Sequence, residues 1–170
     1  MNSVQLHLAL THVPVILSFV GLIMLIVAFF IKSTTLTRTS YIVLLIAGVA
    51  ALPVYFSGEG TEEAIENLPG VSDAIIESHE EVAQLAMISI AVAGLVALAA
   101  LFSSRWQASA RVFKMVVLVL AIASGGIMAQ TAHLGGQIRH TEIRGGVALQ
   151  NSDEPGAVNE GNQQEEKDDD

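Results

Sequence analysis

Four long apolar runs restrict this chain to a membrane-embedded helical fold. The runs cover Val4–Ile31, Ser40–Phe56, Val82–Phe102 and Val112–Gln130, in a sequence of 170 residues of which 52% are hydrophobic. A helix rises about 1.5 Å per residue and the hydrocarbon core of a bilayer is about 30 Å thick, so each run is long enough to cross it, the second barely. A helix also satisfies its own backbone hydrogen bonds in lipid.

We therefore predict an all-α membrane protein with a bundle of four transmembrane helices. The predicted helices span about 4–31, 40–56, 73–103 and 112–133, within one domain over 1–145. The first run is not expected to be a secretory signal peptide, because it is too long and has neither a basic leader nor a small-residue cleavage site.

Basic residues predict the orientation of the bundle. Two of the turns between helices are basic, and they carry Lys32, Arg38, Arg105, Arg111 and Lys114. Such turns stay in the cytoplasm, so we predict a multi-pass protein of the cell inner membrane with extracytoplasmic N- and C-termini. On the outer side, the nearby basic residues are Arg139 and Arg144.

Acidic residues are concentrated in the segments predicted to lie outside. The expected 57–81 loop and the C-terminal segment 146–170 hold most of them, and the net charge of the chain is −9. The C-terminal segment has almost nothing apolar to bury, which predicts a disordered acidic tail. Nucleic acid is an improbable partner, because the chain has no basic patch to neutralise phosphates.

Histidine is the main candidate ligand, because the chain has no cysteine. The absence of cysteine excludes disulfides, thiolate clusters and the C-x-x-C-H attachment of a c-type haem. The histidines fall near the predicted outer ends of three helices, at His7, His12, His79, His133 and His140. Taken alone, each is more typical of a membrane interface than of a ligand site, whereas a cluster of ionisable residues in a bundle is usually functional.

Helical spacing limits which histidines can act together. His7 and His12 differ by about 140° around a helix, so both face one partner only if the helix bends, and Pro14 is the candidate for that bend. His133 and His140 share a face only if the helix continues through the intervening glycine pair.

His79 has the better-defined setting. If Ser72 caps the third helix, then Ile75, His79, Val82 and Ala86 share one stripe of that helix, which places the imidazole on a buried face. An alternative start with Ser78 as the cap leaves His79 in the first turn and more exposed.

Imidazole binds both haem iron and most transition metals, so two kinds of site stay open. Gly126 and Ala129 lie on the His133 face and could make room for a flat macrocycle, although small residues there are also typical of helix packing. For a metal without haem, Glu80 and Glu59 are the candidate additional ligands, although outer-loop glutamates more often form a solvated surface.

Several short segments resemble the bacterial membrane family known as domain of unknown function 2231. The opening HLALTHVPVIL is similar to the family's H-P-x-x-x-H-F-P-I segment, and FSGEGTEEAIE to its T-G-x-x-A turn. SHEEVAQLAM resembles the region of the family's histidine on the third helix, and AHLGGQIRHTEI its closing G-G-x-x-x-H-G segment. The chain departs in having Leu8 for proline, Ser57 for threonine, and an additional histidine, His133.

The resemblance covers about residues 5–145 and implies a four-helix membrane domain without an established activity. Relatives are found joined to Rieske or cytochrome c modules, which implies a place in electron transfer and suggests a b-type haem held by histidines. Carried over position by position, the family's histidines fall on His7, His12, His79 and His140.

The leading hypothesis is a small electron carrier or redox-complex subunit that binds haem b near the outer face, rather than a stand-alone enzyme. One ligand would come from the first or third helix and one from the fourth. Its partners would be membrane lipid and a quinone or extracytoplasmic redox protein. The alternatives are a non-haem transition-metal protein with ligands among His12, His79, His133 and His140, and a cofactor-free scaffold subunit of a larger membrane complex.

Overall fold

The computed structural model describes residues 2–66, 68, 70–103, 107–140 and 143–144 and is built from α-helices. No β-strand occurs in this described part of the chain. This confirms the predicted all-α class. Two helices, α1 (Ser3–Leu10) and α2 (His12–Phe30), together form the first membrane-length segment, Ser3–Phe30, which is one of four candidate spans. The helices are α1 (Ser3–Leu10), α2 (His12–Phe30), α3 (Thr34–Ile65), α4 (Asp73–Ser103) and α5 (Gln107–Arg139).

The second span is much longer than its apolar run. We expected a helix over about 40–56, whereas α3 begins after Ser33, whose side chain accepts a hydrogen bond from the Leu36 backbone N–H, and extends to Ile65. In its polar half, Ser57 and Thr61 are buried and donate to the carbonyls of Val54 and Ser57. Much of the expected 57–81 loop is therefore helical, because an apolar run marks contact with lipid and does not mark the end of a helix.

The first span is interrupted at Thr11, where the expected effect of Pro14 falls. Proline has no N–H to donate to the carbonyl four residues back, that of Leu10, and α1 ends at Leu10. The Thr11 hydroxyl donates to the His7 carbonyl, and α2 begins at the next residue, with Pro14 in its first turn. The N-terminus of α1 is fixed by a capping box between Asn2 and Gln5.

Neighbouring helices run antiparallel and close into a ring. The packed pairs are α2 with α3, α3 with α4, α4 with α5 and α5 with α2, while α1 packs mainly against α3. The backbones of α3 and α4 approach closely: a Cβ at Gly48 would lie 2.9 Å from the carbonyl oxygen of Ile90, and one at Gly94 3.2 Å from that of Leu44. Glycine at these positions lets the two backbones touch, as is common between membrane helices.

The bundle has two ends of opposite charge. One end, the acidic end, carries every acidic residue in the described part of the chain, and these residues lie between Glu59 and Glu81. The basic end carries Lys32, Arg38, Arg111 and Lys114. The predicted acidic tail and the domain boundary at 145 lie outside the described residues.

Candidate histidine site at the acidic end

His7 connects α1 to α3. Its ring Nδ1–H donates to the Val54 carbonyl oxygen at 3.0 Å, and the same nitrogen is 3.3 Å from the Ser57 hydroxyl oxygen. The side chain is half-buried. The Val54 carbonyl oxygen is thus shared by this imidazole and by the Ser57 hydroxyl, which also donates to it.

His79 makes the corresponding connection between α4 and α5. The helix α4 begins at Asp73, and the carbonyl of the preceding residue, Ser72, accepts hydrogen bonds from the N–H groups of Ile75 and Ile76. The predicted start after Ser72 is therefore the observed one, and the alternative start after Ser78 is not. The half-buried imidazole donates from Nδ1 to the Thr131 carbonyl oxygen at 3.1 Å. It also lies close enough to His7 for the two rings to interact electrostatically.

These two hydrogen bonds fix the tautomer of each ring. A carbonyl oxygen accepts and never donates, so Nδ1 must carry the proton in both imidazoles. In a neutral imidazole the other nitrogen, Nε2, then presents its lone pair. Histidines that bind metals in proteins almost always have their second nitrogen held in this way by a carbonyl, carboxylate or water. In each ring of the pair, Nε2 is therefore the nitrogen with a lone pair that could bind a metal.

The other three histidines are more exposed than this pair. The side chains of His12, His133 and His140 are exposed. On α5, the Gln137 amide donates to the Nε2 of His133 at 3.1 Å, so that nitrogen already has a partner. The helix does continue through the glycine pair as far as Arg139, and His140 follows directly.

Gly126 and Ala129 lie on an exposed face of α5. A Cβ at Gly126 would meet no atom within 4 Å. These two small residues thus face away from the His7–His79 pair, and they do not provide the room for a macrocycle that was expected of them.

The candidate carboxylates lie near the pair without completing a metal site. Glu59 and Glu80 are exposed, and Glu80 is within hydrogen-bonding distance of Glu62 on α3. Among the described residues, no group of three or more histidine, cysteine, aspartate or glutamate side chains is arranged to hold a metal ion.

Sequence reasoning missed the groups that orient the two imidazoles. These are the carbonyls of Val54 and Thr131, the Ser57 hydroxyl, and Gly135, against which the His79 ring packs. Every residue has a carbonyl, so nothing in the sequence distinguishes these two. The glycine pair was the one available signal, and it was interpreted as a possible end of the helix.

Comparison with known proteins gives no further identification. No family model matches the chain, and no curated protein or solved structure matches it either. The resemblance to the family of unknown function therefore stays a prediction, carried by the short segments quoted above.

Proposed function

We propose that this chain is a haem b protein of the inner membrane, in which His7 and His79 would hold the haem iron. The observation that carries the proposal is the pair of half-buried imidazoles from two helices, each with Nδ1–H on a backbone carbonyl and Nε2 left to bind iron. When bound, haem b would supply a one-electron carrier whose potential depends on its axial ligands and on the dielectric around it.

The donor set fits haem better than it fits an isolated metal ion. Haem brings four nitrogen ligands of its own, so one or two imidazoles from the protein would be enough to hold it, and the pair offers two. A non-haem site in a protein takes three or more side-chain ligands. The described residues contain no such group.

The resemblance supports the same site. Its quoted segments include His7, Ser57 and His79, together with Gly135. In the structure His7 contacts Ser57, and His79 contacts Gly135. The four quoted segments are far apart in the sequence, yet they contact each other in two pairs at the acidic end of the bundle.

We assign the basic end to the cytoplasmic side, since turns rich in lysine and arginine are retained there. The histidine pair would then lie near the extracytoplasmic surface. In that position the protein could exchange electrons with a membrane quinone or with an extracytoplasmic redox protein, either alone or as a subunit of a larger complex.

The test replaces His7 and His79 singly by alanine in the full-length chain. His133→Ala is the matched control, because His133 is an exposed histidine on the same half of the bundle. Each protein is purified from haem-supplemented cells, and its reduced-minus-oxidised spectrum is recorded after its helical content has been checked. We expect loss of the low-spin haem signal in both pair variants and its retention in the control.

Two results would count against this assignment. A haem signal that survives both pair variants would place the ligands elsewhere. A wild-type protein without haem would leave the two imidazoles as hydrogen-bonded ties between helices, as expected of the scaffold alternative.

A further inference from the structure

At the basic end, Lys114 is held in a defined position between α5 and α2. Its side chain is half-buried, and Nζ donates to the Ala28 carbonyl oxygen at 3.3 Å. The same ammonium group lies 5.4 Å from the centre of the Phe29 ring, within the range of a cation–π contact. Lys114 thus places a positive charge at the C-terminus of α2, where carbonyls lack helical partners.

Lys32 adds a second cation at the C-terminal end of α2, in an unusual backbone conformation. Its φ is +54°, and it is the one non-glycine residue of the described part with positive φ. It directly follows Ile31, the C-cap of α2, at a position where glycine is strongly preferred. The side chain is exposed. A strained lysine at a position suited to glycine points to a use for its charge.

Arg111 supplies a third cation. It lies three residues before Lys114 on α5, so the two side chains share one face of the helix. It is exposed, whereas every acidic residue in the described ranges lies between Glu59 and Glu81, at the opposite end. Among those residues, no carboxylate is available at the basic end to neutralise the three cations.

Exposed apolar side chains adjoin the cations along the chain. They include Phe30, at 75%, Val112, at 64%, and Ile31, at 63%. A cluster of positive charge beside an apolar surface matches an amphiphile with an anionic head and hydrocarbon chains.

We propose that Lys32, Arg111 and Lys114 bind the phosphate headgroup of an anionic phospholipid, whose acyl chains cover the adjacent apolar surface of α2 and α5. The site is independent of the proposed haem site, because it lies at the opposite end of the bundle. The proposal also goes beyond the use of these basic residues to orient the protein in the membrane, because it places a headgroup-binding site at the junction of α2 and α5.

The experiment measures lipid binding by the full-length protein in a neutral detergent. Phosphatidylglycerol, phosphatidylcholine and inorganic phosphate are titrated separately, and bound lipid is counted by native mass spectrometry. A lysine or arginine near anionic lipid contributes about 1 kcal/mol, or roughly fivefold in affinity. We expect the wild type to prefer phosphatidylglycerol over phosphatidylcholine, and Lys114→Gln, Arg111→Gln and Lys32→Gly each to weaken that preference by about fivefold.

Two variants separate lost binding from lost folding. Glycine relieves the strained φ at position 32, so Lys32→Gly should fold at least as well as the wild type while losing lipid affinity. Arg139→Gln removes an exposed cation from the acidic end and should leave binding unchanged. Equal affinity for the two lipids, an equal loss in Arg139→Gln, or equally tight binding of inorganic phosphate alone would each overturn the proposal.

Discussion

The imidazole of His79 on α4 lies directly against Gly135 on α5. A Cβ at position 135 would stand 3.1 Å from the ring Cε1 and 3.5 Å from Nδ1. Glycine therefore lets the ring approach the backbone of α5 closely enough for Nδ1 to reach the Thr131 carbonyl. The orientation of one proposed ligand thus depends on the absence of a side chain on the neighbouring helix.

Replacing Gly135 by alanine should displace the His79 ring and weaken haem binding. Loss of a group that orients a metal ligand typically costs about 10- to 100-fold in affinity, and we expect an effect of that size in a titration of the purified apoprotein with haem. Gly126→Ala is the control on the same helix, because its new methyl group would meet nothing within 4 Å. Equal affinities in the two variants would show that contact with Gly135 does not position His79.

Replacing Gly48 by alanine should destabilise the bundle without acting on the histidine pair directly. The added methyl group would lie 2.9 Å from the Ile90 carbonyl oxygen, and this backbone atom cannot rotate away as a side chain could. Overpacking of this kind costs about 1–3 kcal/mol. Thermal unfolding in detergent should therefore occur at a lower temperature than for the wild type, whereas Gly126→Ala should unfold at or above the wild-type temperature, since alanine favours a helix.

Reporter fusions should locate the two ends of the bundle. A reporter fused after Asp170 should be active outside the cytoplasm, and one inserted near Thr35 should be active inside, because the basic turns are retained in the cytoplasm. The reverse pattern would move the histidine pair to the cytoplasmic surface and would exclude an extracytoplasmic redox partner.

Removal of residues 151–170 should leave folding and haem content unchanged, because this segment of the sequence offers almost no apolar side chain to anchor it. Membrane-inserted protein and haem per chain are measured for the truncated and full-length forms. A fall in either quantity on truncation would show that the tail packs against the domain.

The apolar runs were sufficient to predict four spans, because lipid contact requires apolar side chains over the full membrane thickness. They could not predict the polar half of α3, where Ser57 and Thr61 are buried against neighbouring helices. The interruption of the first span was accessible to sequence reasoning, because Pro14 cannot donate to the Leu10 carbonyl and α1 ends at Leu10.

The candidate site was accessible to sequence reasoning in part. The stripe through His79 on a helix starting after Ser72 followed from spacing and capping, and α4 begins where that argument requires. The proximity of His7 to His79 did not follow from spacing, and a last-helix histidine as ligand stays a prediction. Which helix faces which depends on packing between elements, and periodicity within one helix does not encode it.

The haem content of the wild-type protein tests the central claim most directly. The full-length chain is purified in mild detergent from haem-supplemented cells, and its haem is quantified against protein alongside elemental analysis. Two axial imidazoles bind one iron, so the account predicts about one b-type haem per chain, with a low-spin reduced-minus-oxidised spectrum. A purified, helical and monodisperse protein that contains no haem, even after titration with it, would contradict the account.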